Sequence, residues 1–113
     1  MSRTRANRLD QVYGAIANPT RRAMLGVLAT GEVKVGQLAR GFPVSFNAVS
    51  KHVKVLERAG LVSRRIRGRE HWLRLRTGPL HEAARWLVRQ RTFWNSRLDA
   101  LEAVLRDDAP LGR

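Results

Sequence analysis

Residues 45–62, SFNAVSKHVKVLERAGLV, decide the fold. Ser45 belongs to the residue types that cap helix N-termini, because its hydroxyl can accept a bond from an amide that the first turn leaves unpaired. Val49, Val53 and Leu56 then follow at i, i+4 and i+7, which puts them on one face of a helix. Gly60 supplies the left-handed stop, and Leu61 stands where the chain commonly folds back onto the last turn. The spacing therefore predicts a helix from about Ser45 to Ala59 with one apolar face. On its other side lie Asn47, Ser50, Lys51 and Lys54, with Phe46 at the start, and these groups carry no competing carboxylate.

Downstream, Leu61 to Ile66 and His71 to Arg76 read as two short strands around Arg67, Gly68, Arg69 and Glu70, a β-hairpin with a charged tip. Arg64, Arg65, Arg67, Arg69, Arg74 and Arg76 meet only Glu70 within this ribbon, whereas a solvated strand face normally mixes signs. Upstream, a short helix is expected over Val35 to Arg40, with Leu38 and Ala39 inward and Gly41, Phe42 and Pro43 ending it. Lys34 stands where a cap would be expected, and Val33 adds one strand residue. Asn18 and Pro19 form a cap and first-turn proline for an earlier helix carrying Met24, Leu25 and Leu28 and ending before Gly31. Leu9, Val12, Tyr13 and Ile16 mark a first helix that stops near Ala17. Residues 1–8 read as a flexible basic arm with Arg3, Arg5 and Arg8, too polar for a signal peptide.

After Gly78 and Pro79, one long helix is expected to about Arg106, with residues 107–113 as a tail. Leu80, Ala84, Leu87, Arg91, Trp94, Leu98, Leu101 and Leu105 alternate in steps of four and three, the seam of a coiled coil. A helix of about 27 residues makes a rod near 40 Å, more than a domain of this size needs to cover itself. The expectation is a two-fold dimer in which Leu87, Trp94, Leu98, Leu101 and Leu105 pair with Leu9, Val12, Tyr13 and Ile16.

The chain has 113 residues, enough for one domain with a real core, here residues 9–106. Its 22 Lys and Arg against 9 Asp and Glu leave a net charge of +13, a field that draws polyanions. Nucleic acid is the leading partner. An anionic membrane surface would meet the same charge, but no apolar run approaches the roughly 18 residues of a spanning helix. The sequence contains no cysteine, hence no disulfide and no thiolate metal site, and a cytoplasmic location is expected.

Two helices joined by a tight break and followed by a ribbon describe a winged helix-turn-helix of the mainly α (α+β) class, with a two-stranded wing and a long C-terminal dimerisation helix. The runs Ala17-Asn18-Pro19-Thr20-Arg21-Arg22 and Val49-Ser50-Lys51-His52-Val53-Lys54-Val55-Leu56-Glu57, then Ala59-Gly60-Leu61-Val62, resemble the ArsR-type winged-helix repressors. Trp94, Arg97-Leu98-Asp99 and Leu101-Glu102 extend the resemblance over about residues 9 to 106. It implies a dimeric repressor on an imperfect inverted repeat near a promoter, with contacts from the fourth helix and the wing. The sequence departs from the metal-sensing members: Val35 to Arg40 offers no ligand, and His81 and Glu82 are neighbours that do not share a helix face. No metal site and no cofactor are expected, and the residues specify no inducer.

On this reading Ser45, Phe46, Asn47, Ser50, Lys51 and Lys54 face double-stranded DNA from the recognition helix, and Arg64, Arg65, Arg67 and Arg69 from the wing. Arg67 and Arg69 are the tip residues expected at phosphates or a minor groove. The alternative is an architectural or RNA-associated basic protein without sequence preference, for which charge alone would suffice. An enzyme is disfavoured because no acid, base and nucleophile converge.

Overall fold

The computed structural model describes the backbone over residues 2–108 and side chains over residues 7–106. The elements run α1 (Ser2–Ile16), α2 (Pro19–Leu28), β1 (Val33–Lys34), α3 (Val35–Arg40), α4 (Phe46–Arg58), β2 (Val62–Arg67), β3 (Glu70–Leu75) and α5 (Gly78–Asp108). The chain divides into two compact units between Ala83 and Ala84, within α5.

In the first unit, α1 ends where Asn18 precedes Pro19, since proline disfavours the helical region in the residue before it. Asn18 then caps α2, its side-chain oxygen accepting from the Arg21 amide at 3.0 Å. The last carbonyls of α1 find donors in α2. Arg21 donates to the Ala15 carbonyl at 2.7 Å and the Gly14 carbonyl at 3.1 Å, and Arg22 to the Ile16 carbonyl at 2.7 Å. Two cations at the negative end of the α1 dipole are also favourably placed. The Asn-Pro-Thr-Arg-Arg run is therefore a corner, one part starting a helix while another closes the helix before it.

The core is filled from the helices and the two longer strands of this unit: Val12 and Ala15 of α1, Met24 and Leu28 of α2, Leu38 of α3, Val49, Val53 and Leu56 of α4, Val62 of β2 and Leu73 of β3. At the end of α4 the Gly60 amide bonds the Glu57 carbonyl and the Leu61 amide the Leu56 carbonyl, each at 3.0 Å, the two bonds of a Schellman stop. Gly60 takes φ +75°, and Leu61 folds under the helix, fully buried.

Several sequence expectations change. The basic stretch expected as a flexible arm is helical from Ser2, because it contains neither Gly nor Pro and its Arg and Ala are good helix formers; Met1 lies outside the described residues. The ribbon gains a third strand, giving an antiparallel sheet of order β1-β3-β2 in which Val33 pairs with Leu73 and Lys34 with Trp72. Val12, expected at a dimer interface, is buried in its own core with Ala15, since that side of α1 packs on α2 and α4. In α5 it is Ala83 that is buried, while Ala84 of the expected seam is exposed. The end of the chain expected as a tail is helical through Asp108, and residues 109–113 lie outside the described ones.

In the second unit, α5 carries Leu87, Trp94, Leu98, Leu101 and Leu105 exposed, with Val88, Phe93 and Val104 beside them. Phe93 and Trp94 meet edge to face with ring centroids 5.5 Å apart, and the Arg97 guanidinium lies 4.9 Å from the Phe93 centroid. No helix among the described residues is long and apolar enough to cross a membrane.

Candidate nucleic-acid interface

The helix pair α3 and α4 is held from beneath by Val35, Leu38, Val49, Val53 and Leu56. Lys34 stands at the start of α3 with no side-chain bond to the amides of that helix, and Gln37 reaches back to accept from the Lys34 amide at 3.3 Å. Half of a capping box thus replaces the missing cap. Ser45 starts α4, its hydroxyl accepting from the Ala48 amide at 3.1 Å. With α4 fixed this way, Asn47, Lys51, Lys54 and Arg58 form one exposed row at steps of four, three and four. Ser50 is half-buried and Phe46 exposed beside them. Arg58 extends the row by one cation that the sequence reading missed, although its position four residues after Lys54 carried the signal.

His52, on the flank of α4, receives Arg21 Nη1 at 3.2 Å from its Nδ1, so one arginine ties the carbonyls of α1 to α4. No three His, Asp, Glu or Cys side chains among the described residues gather as metal ligands.

The ribbon turns at Gly68 and Arg69, with Gly68 at φ +63° and Arg69 negative, the pattern of a type II′ hairpin. Its cations are not the unopposed set that the ribbon sequence implied. Arg64, opposite Leu73, points to the core side and forks onto Glu57 of α4, Nη2 to Oε1 at 2.9 Å and Nε to Oε2 at 3.3 Å; its Nη1 lies 3.1 Å from His71 Nδ1. On the other face Arg67 Nη2 sits 3.4 Å from both oxygens of Glu32, and its guanidinium lies 5.1 Å from the Trp72 ring centroid. Lys34 covers the same ring at 5.3 Å and pairs with Glu70. Arg65, Arg69, Arg74 and Arg76 form no ion pair with a described residue.

The Arg64 fork ties the hairpin to α4 and consumes the one carboxylate that α4 carries. Both side chains are about a quarter exposed, between the surface and buried regimes. A double-mutant cycle with Arg64→Ala and Glu57→Ala, read by denaturant unfolding, should give a coupling of about 0.5–1 kcal/mol. Additive losses would mean the pair does not hold the hairpin to the helix.

A cleft of about 480 Å³ opens between α3, the first turn of α4 and the ribbon. Phe46 and Ser50 line it from α4, Arg40 and Gln37 from α3, and Arg64 and Arg69 from the ribbon. Of the residues singled out by sequence, the fold brings Phe46, Ser50, Arg64 and Arg69 to this cleft. Asn47, Lys51 and Lys54 stand on the open row of α4, Ser45 is occupied as its cap, Arg65 lies on the outer face of the ribbon, and Arg67 is drawn to Glu32. Arg40 is a cleft cation that no sequence pattern marked, because it ends α3 and meets the others only in space.

A two-helix reading unit with a β-ribbon beside it defines the winged helix-turn-helix class of DNA-binding domain. A family model for a helix-turn-helix domain matches residues 16–65. The transcriptional repressor SdpR of Bacillus subtilis is 30% identical over 80 residues, covering 71% of this chain and 89% of that protein. The HTH-type transcriptional regulator Rv2034 of Mycobacterium tuberculosis is 51% identical over 59 residues, 52% of this chain, and the match spans only 55% of that relative's length. The structure of an ArsR-like transcriptional regulator from a Rhodococcus species superposes with a TM-score of 0.79 at 32% identity, covering 89% of this chain and 95% of that one. The chain belongs to the ArsR family of winged-helix transcriptional regulators. It is a DNA-binding regulator and not an enzyme.

Proposed function

We propose that the chain is a dimeric repressor that binds an inverted-repeat operator in double-stranded DNA, with α4 in the major groove and the ribbon against the backbone. One observation carries this reading: the exposed row Asn47, Lys51, Lys54 and Arg58 contains three cations, an amide and no carboxylate, Glu57 being turned to Arg64. A helix of 13 residues is about 20 Å long and fits a major groove roughly 12 Å wide. SdpR, which matches most of this chain, is itself a repressor. The exposed apolar row of α5 supports pairing of two copies, because soluble monomers seldom leave so much contiguous apolar surface to water.

The test separates helix from wing. Site selection from a randomised duplex pool should return an inverted repeat. Ser50→Ala and Lys51→Ala should then change which operator substitutions are tolerated. Arg69→Ala should weaken operator and scrambled duplex about equally and lower the salt slope by about 0.9, the value for one neutralised phosphate. Arg67, already neutralised by Glu32, should give a smaller change in slope. Base preference that moves with Arg69 at an unchanged slope would assign sequence reading to the wing. Selection that returns no preferred sequence would favour an architectural protein.

A further inference from the structure

We infer that Phe46 reads a base: its ring takes the C5-methyl group of a thymine in the major groove and sets one position in each half-site. The inference rests on the proposed placement of α4 in DNA and goes beyond it by naming the group recognised.

Phe46 is the first residue of α4, directly after its Ser45 cap, and the residue is 57% exposed. The core beneath α4 is formed without it, by Val49, Val53 and Leu56, each fully buried. An aromatic ring therefore stands in water at one end of an otherwise polar and cationic helix face. That end matters, because the N-terminal residues of a recognition helix are the ones that reach base edges. Around the ring the chemistry divides cleanly. Arg40 and Arg69 on the same cleft are suited to the phosphate backbone, Arg64 being held by Glu57, and Ser50 and the adjacent Asn47 are suited to hydrogen-bonding edges. A phenyl ring can serve neither role. The apolar feature that a major groove offers is the thymine methyl group, and apolar side chains contact it there. Cations that seat the backbone in the cleft would bring the base edges to the ring.

The experiment uses the full chain and the duplex it selects from a randomised pool. Each thymine of that duplex is replaced in turn by deoxyuridine, which removes only the methyl group. Wild-type protein should bind about fourfold more weakly with the change at one thymine per half-site, roughly the worth of one buried methyl group, and about fifteenfold when both half-sites are changed. Phe46→Ala should bind the unmodified duplex more weakly and show no further loss with deoxyuridine at that position, whereas Phe46→Leu should keep most of the sensitivity. The variant's fold is checked by its melting temperature and by an unchanged salt slope on scrambled DNA. The uracil scan of the wild type stands without any variant. If no thymine shows the effect, or if Phe46→Ala is as sensitive as wild type, Phe46 does not read thymine while α4 can still read other bases. If no sequence is selected at all, the placement of α4 falls and this inference with it.

Discussion

Replacing Leu98 by Glu is expected to leave a folded monomer whose operator affinity is lower by about 10²–10⁴, the factor gained when one half-site tethers the other. Leu98 lies in the middle of the exposed row of α5, between Trp94 and Leu101, with Leu105 a further step along. Burial of one such side chain contributes about 1.5–3 kcal/mol, and a two-fold interface counts each change twice. Glutamate would forgo that contribution and place two carboxylates in an apolar seam, where an unpaired charge is strongly disfavoured. Folding should survive, because among the described residues the buried core ends at Ala83. Sedimentation equilibrium gives the mass, and duplex titration gives the affinity. A dimer mass retained by the variant would move the interface away from this row.

The second large effect is on stability. Leu56→Ala should destabilise the fold by about 2–5 kcal/mol, the range for deleting a buried leucine side chain that leaves a cavity. Leu56 is completely buried on the inner face of α4, among Val53, Leu61 and the other core residues. Its carbonyl also accepts the Leu61 amide in the helix stop, but a side-chain deletion leaves that bond in place. The loss therefore reports packing alone. In a domain of this size each kcal/mol lowers the melting temperature by about 4–8 °C, so thermal unfolding reads it directly. A loss below about 1 kcal/mol would show that the space beneath the recognition helix closes up by repacking. Asn47→Ala on the opposite face, buried in nothing, provides the contrasting variant with little effect on stability.

The parts of this protein legible in its sequence are those set over a few neighbouring residues. The four-and-three spacing of Val49, Val53 and Leu56, the caps at Asn18 and Ser45 and the stop at Gly60 each act within a turn or two of helix, and each stands where expected. The class of fold followed from them, as did the polar row of α4. The resemblance in residues 49–62 carried the family.

What only the tertiary structure decided depends on groups far apart in the chain. Leu9, Val12, Tyr13 and Ile16 share one apolar spacing, but spacing cannot say which of them is used up inside the chain; the packing of α1 on α2 and α4 buried Val12. The strand at Val33 and Lys34 exists only because Leu73 and Trp72 offer it a ladder. The wing reads as unopposed arginine, yet Glu57 of α4 and Glu32, just before β1, reach it and take Arg64 and Arg67, leaving Arg69 with Arg40 at the cleft. Helical periodicity and capping are local, so composition and spacing determine them; charge pairing and the division of an apolar stripe between core and surface are long-range, so only the folded chain determines those.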